Sequence, residues 1–112
     1  MPFIDTRVTM KLTDAQKDKL KTEYGKVISV IHKPESYLMC GFTDEYPLYF
    51  AGDKVEKGAF VSVDVFGKVD PACEQLTAEI SRILDEELGI PSNRVYVKHE
   101  GVPDWGWSGR NF

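Results

Sequence analysis

The feature that most constrains this 112-residue chain is an internal repeat at a fixed offset of 57 positions, the interval from Phe3 to Phe60. The same offset carries Val8 onto Val65, Thr13 onto Asp70, Ala15 onto Ala72, Ile31 onto Leu88 and Pro34 onto Pro91. Few residues are identical, but the landmarks of secondary structure coincide without a gap. A repeat of this length holds a strand, a crossover helix and a second strand, the unit that brings a chain back parallel to itself.

In the first copy, Phe3-Ile4-Asp5-Thr6-Arg7-Val8 reads as a strand. Thr13 followed by Gln16 has the form of a capping box and starts a helix. Leu20, Tyr24, Val27, Ile28 and Ile31 recur at spacings of three and four, so one apolar face runs as far as His32, and Pro34 stops the helix. Tyr37 to Phe42 is largely apolar and is predicted as a second, buried strand. Thr43 to Lys57 reads as a loop, with a short edge hairpin at Leu48-Tyr49-Phe50.

In the second copy, Val61, Val63 and Val65 alternate with Ser62 and Asp64, which predicts a half-buried strand over Ala59 to Phe66. Asp70-Pro71 reads as an N-cap with proline at the first helical position. Leu76, Ile80, Ile83, Leu84 and Leu88 carry the apolar stripe, and Gly89 ends the helix. Arg94 to Lys98 is the last strand, and the tail from Trp105 to Phe112 is short, aromatic and rich in glycine.

Two βαβ units predict an α+β fold: one domain over residues 1–112, with pseudo-repeats at about 2–45 and 58–102, a four-stranded mixed sheet and both helices on one face. The bare face would still show Phe, Tyr and Met side chains, so a closed homo-oligomer is expected to cover it. With 18 acidic against 14 basic residues the net charge is -4 and no basic patch stands out, which argues against a nucleic-acid partner. No apolar run is long enough to span a membrane, and no signal-peptide pattern opens the chain, so a cytoplasmic protein is expected. Cys40 and Cys73, with only His32 and His99 for company, give neither a zinc nor a redox spacing; buried free thiols, no metal and no cofactor are the expectation.

Pro2 stands directly after the initiator Met1 at the head of the first strand. Its ordinary meaning is a residue that tolerates a strand start without a ladder N–H. If Met1 is removed, Pro2 becomes a secondary amine at a sheet edge, a rigid base that no side chain supplies. An ordinary α-amine titrates near about 8 and is largely protonated at neutral pH, so such a base must be tuned downward by burial or by a neighbouring ammonium.

Met-Pro at the N-terminus, Lys33-Pro34 after the first helix, Ser62-Val-Asp-Val-Phe-Gly-Lys68, Asn93-Arg94-Val95-Tyr96 and Gly106-Trp107-Ser108 together resemble the macrophage migration inhibitory factor family of the tautomerase superfamily. The resemblance covers essentially the whole chain. It implies a homotrimer with active sites at subunit interfaces and a keto–enol tautomerase acting on small aromatic α-keto acids such as phenylpyruvate. Pro2 would be the catalytic base and Lys33 the anchor for the substrate carboxylate; otherwise Lys33 is simply an exposed lysine near a helix end. Phe66 would lend its backbone N–H to the substrate oxygen, and a neighbouring subunit would lend Tyr96. Tyr37, Trp107 and Phe112 would form aromatic walls.

Three departures are visible. Lys98 stands at the position of a family asparagine and would put a second cation in the pocket. Asp64 replaces a histidine near its mouth. Gly58-Ala59-Phe60-Val61 replaces the C-x-x-C of some members, so their proposed thiol-disulfide activity is not expected. The rival implication is a cytokine-like protein that leaves the cell without a signal peptide and binds a cell-surface receptor, with the pocket incidental. A superfamily relative performing hydration, dehalogenation or decarboxylation ranks last, because Arg7, Arg82, Arg94 and Arg110 match no motif for those chemistries.

Overall fold

The first copy of the repeat folds as β1 (Pro2–Val8), α1 (Asp14–Val27) and β2 (Met39–Thr43) in the computed structural model, which describes residues 1–112. A small hairpin, β3 (Tyr49–Phe50) and β4 (Asp53–Lys54), leads to the second copy: β5 (Ala59–Phe66), α2 (Cys73–Leu88) and β6 (Val95–Val102). Another hairpin, β7 (Gly106–Trp107) and β8 (Arg110–Asn111), follows near the C-terminus. Each unit contributes a parallel pair, β1 with β2 and β5 with β6, while β1 and β5 run antiparallel through the middle. The result is one mixed sheet in the order β2-β1-β5-β6. The repeat persists in backbone detail: His32 and Gly89 are both left-handed, and single 3-10 turns occupy Glu35–Tyr37 and Ser92–Arg94.

Local chemistry explains the helix ends. The Thr13 hydroxyl accepts from the Gln16 N–H at 3.1 Å while the Gln16 side chain accepts from the Thr13 N–H at 2.9 Å, closing the capping box. The apolar face of the first helix does continue to Ile31, but its last turn, Ile28–Ile31, is wound as a tighter 3-10 helix, and the chain turns out at His32 before Pro34 is reached. The second helix starts later than Asp70-Pro71 predicts, at Cys73. Asp70 serves an intervening turn: its Oδ1 accepts from the Ala72 N–H at 2.8 Å and its carbonyl accepts from the Cys73 N–H at 3.0 Å. At the far end Gly89, φ 68, closes α2, and its N–H donates to the Asp85 carbonyl at 2.8 Å.

The core lies between the helices and one face of the sheet. Ile4 and Val8 of β1 and Ala59, Val61, Val63 and Val65 of β5 cluster with Leu20, Tyr24 and Ile28 from the first helix and Leu76, Ile80 and Leu84 from the second. Each fully buried Leu, Ile or Val contributes about 1.5–3 kcal/mol, so this layer carries the domain. The Tyr24 hydroxyl and Thr6 Oγ1, both buried, lie 2.8 Å apart, which leaves neither polar group unpaired.

Two expectations need correction. The apolar run at Tyr37–Phe42 is not a buried strand: Tyr37 belongs to a 3-10 turn, β2 begins at Met39, and Met39 is 69% exposed. β2 is an edge strand that no element of the chain covers on the open side, and Cys40 is accordingly half-buried, as is Cys73. The last strand is longer than Arg94–Lys98, running from Val95 to Val102 because it pairs with β5 along its whole length. The open face of the sheet presents Phe3, Met39, Phe60, Phe66 and Tyr96 around a polar centre of Asp5, Ser62, Asp64, Lys98 and Glu100.

Candidate active site

Pro2 is buried at the head of β1, where it pairs with Val65 of the antiparallel neighbour. In front of it lies a cavity of about 590 Å³ lined by Met1, Pro2, Phe3, Ser36, Tyr37, Leu38, Met39, Asp104, Trp105, Gly106 and Trp107. A second hollow of about 270 Å³ is lined by Met1, Tyr37, Phe66, Trp107 and Phe112. The aromatic rings are mutually supported. Tyr37 meets Trp107 edge-on with centroids 6.0 Å apart, and Phe66 meets Phe112 at 5.4 Å. The fold therefore gathers five of the eight expected residues, Pro2, Tyr37, Phe66, Trp107 and Phe112, from four separate stretches of chain, while Lys33 lines neither hollow.

Two further features give the cavity its polarity. Partial burial pushes the Met1 ammonium below the ordinary α-amine range, and the charge of nearby Lys33 adds to the fall. The Phe66 N–H donates to the Met1 carbonyl oxygen at 3.1 Å. That carbonyl carbon is bonded to the Pro2 nitrogen, so the end of β5 holds an sp² oxygen two bonds from the proline nitrogen.

Tyr96 and Lys98 are not brought to this pocket within one chain. Pro2 pairs with Val65, and Val65 with Gly101, so Tyr96 lies five residues further along β6, about 17 Å away at the rise of a strand. There Tyr96, 62% exposed, packs edge-on against Phe50 at 5.9 Å, and the Arg94 guanidinium sits 4.7 Å over the Phe50 ring. Lys98 is on the open face, in register with Ser62.

Sequence reasoning missed Phe3, Ser36, Leu38, Met39, Asp104, Trp105 and Gly106 as lining residues. Phe3 and Met39 carried a usable signal, since strand alternation puts Phe3 on the face opposite Ile4, and Met39 is its cross-strand partner. Asp104 carried none.

Two βαβ units joined in one mixed sheet, with a pocket at the head of a central strand, define the tautomerase fold. The sequence matches the macrophage migration inhibitory factor (MIF) family over residues 1–112, and the chain belongs to that family. It is 29% identical over 115 residues to the macrophage migration inhibitory factor homolog of Trichinella spiralis, with all of both chains covered. Its structure is similar to that of Leishmania major MIF2, with a TM-score of 0.94 at 33% identity over 100% of this chain and 97% of that one. It is also similar to the MIF homologue of Prochlorococcus marinus, with a TM-score of 0.87 at 26% identity over 98% of each chain.

Proposed function

We propose that this protein is a keto–enol tautomerase for aromatic α-keto acids of the phenylpyruvate type, with the amine of Pro2 as general base once Met1 has been removed. The observation that carries this reading is the hydrogen bond from the Phe66 N–H to the Met1 carbonyl, 3.1 Å, at the wall of an aromatic cavity. When Met1 leaves, that donor faces open space beside a free proline nitrogen. A keto acid placed there would give its C3 proton to the Pro2 nitrogen and receive a proton on its carbonyl oxygen, forming the enol with no net change in composition. The Phe66 N–H would hold the developing oxyanion, Lys33 the carboxylate, and Tyr37, Trp107 and Phe112 the ring.

Such a base must be uncharged. Burial and the Lys33 charge, in that order, already lower the Met1 ammonium, and the same two influences would act on Pro2 one residue further in. The separation of Tyr96 and Lys98 from Pro2 supports a homotrimer in which a neighbouring subunit supplies them, which would also cover exposed Met39 and Tyr96.

The test is ketonisation of phenylpyruvate as a function of pH, using protein whose N-terminus has been verified by mass spectrometry. Because the free amine is the active form, the rate should rise with pH through an apparent pKa below that of an ordinary α-amine. Pro2→Gly should lose about 10²–10⁴ in rate, and Lys33→Ala should raise KM. Equal activity in all three proteins, or none in the Met-free wild type, would sink the proposal. The relatives are named for inhibiting macrophage migration, and a second reading is a signalling protein; we infer that such a protein would act by binding a cell-surface receptor. A Pro2→Gly protein that still binds the receptor while turnover is lost would favour it.

A further inference from the structure

The turn that follows the first helix is made by His32, φ 62, whereas the equivalent turn after α2 is made by Gly89, φ 68. Glycine adopts this left-handed conformation freely and a residue with a β-carbon does so at some cost, so a partner that fixes the His32 side chain helps to define the turn. Asp70 holds it. His32 Nδ1 lies 2.9 Å from Asp70 Oδ2, and Asp70 Oδ1 is itself fixed by the Ala72 N–H at 2.8 Å. The next residue is Lys33, and after it Pro34, in extended backbone, whose ring disfavours helical backbone at Lys33. Lys33 therefore leaves a main chain fixed on both sides. The Lys33 charge acts on both ends of this corner, adding to the burial that lowers the Met1 ammonium and, after the Ala72 N–H and His32, to the lowering of the Asp70 carboxyl.

We propose that the His32–Asp70 pair is a positioning device for Lys33, setting the turn from which its ammonium meets the carboxylate of the keto acid. This rests on the tautomerase reading above. The His32 side chain is largely exposed, so the pair adds little to stability; what it supplies is a defined turn at a position where glycine would give a looser one. The second unit has no such need, because Ile90, fully buried, stands where Lys33 stands in the first.

The test is a double-mutant cycle on Met-free protein: wild type, His32→Gly, Lys33→Ala and the double variant. For each, KM and kcat are measured for phenylpyruvate, and Kd for 3-phenylpropanoate, an unreactive acid of similar shape. Glycine accepts the φ of this turn, so the fold is retained, and near-UV circular dichroism checks it. His32→Gly should raise KM and Kd about fivefold, the equivalent of ~1 kcal/mol, with kcat changed less than about twofold. In the Lys33→Ala background the same change should have no further effect.

A fivefold rise in both backgrounds, or none in the wild-type background, would overturn the proposal. Lys33→Ala without effect of its own would overturn it together with the role given to Lys33. Absence of turnover in the Met-free wild type would remove the tautomerase reading alone, because the Kd cycle still decides the coupling.

Discussion

In residues 2–45 and again in 58–102 the chain builds the same strand, helix and strand, yet the ends of the two copies hold different side chains. Where the first has Pro2, Lys33, Tyr37 and Met39, the second has Ala59, Ile90, Arg94 and Tyr96. Ala59 and Ile90 are core residues, whereas Pro2 and Tyr37 line the main cavity. What the two copies share is what makes the turns: a left-handed residue, a proline two positions on, and a 3-10 turn. The geometry of the unit thus depends on a few backbone positions and a packed stripe, and chemistry depends on what is mounted at the same places.

The sharpest way to break this comparison is to move the first unit's cation into the second. Ile90→Lys would bury an ammonium at a site with no exposure at all. An isolated buried charge costs several kcal/mol, so Tm should fall by more than about 10 °C or the domain should fail to fold. Thermal unfolding followed by circular dichroism measures it, and a near-native Tm would show that this corner of the core can open to water.

A smaller effect separates the two turns. Gly89→Ala puts a β-carbon on a residue at φ 68, a left-handed conformation that costs an L residue about 1–2 kcal/mol. The added carbon meets only the tip of Lys57, at 3.4 Å, so the penalty comes from the backbone. His32→Gly at the equivalent turn should leave stability within about 1 kcal/mol, because relief of the left-handed strain is offset by the freedom glycine adds to the unfolded chain. Paired denaturant titrations decide it, and equal losses at both sites would contradict the view that the His32–Asp70 pair adds little to stability.

How much of this was legible beforehand depended on the range of the interactions involved. The capping box at Thr13 and Gln16, the valine alternation in β5 and the stop at Gly89 could be read because each is settled within a few residues. Asp70-Pro71 has the pattern of a helix cap, yet Asp70 caps the turn before the helix, a distinction that depends on how Pro71 and Ala72 fold back. The apolar run before Phe42 misled, because being apolar does not say whether the chain itself supplies the cover, and β2 lies at an edge. The last four residues of β6, His99 to Val102, contain a charge and a glycine and gave no strand signal; pairing with β5 extends the strand through them. At the site, the resemblance pointed to Pro2, to the aromatic walls and to a Tyr96 lent by a neighbouring subunit; how far Tyr96 lies from Pro2 within one chain is set by register along two strands, which no local signal carries.

The smallest predicted effect concerns how each helix meets its outer strand. In the first unit Phe42 stacks on Tyr24, with centroids 6.3 Å apart; the equivalent of Phe42 in the second is His99, whose Nε2 lies 2.7 Å from Thr77 Oγ1 on α2. Burial lowers the pKa of His99 from its ordinary 6.5, so the folded state binds its proton less readily than the unfolded chain does. Stability should therefore be complete above about pH 7 and decline as the pH drops below 6.5, levelling off once the folded state also takes up the proton. His99→Phe, which makes the second unit resemble the first, should flatten that part of the profile. The comparison is the difference in Tm between pH 7 and pH 5 for the two proteins. A wild-type slope that survives the substitution would assign the pH dependence to some other group and leave the two helix–strand contacts equivalent in their response to acid.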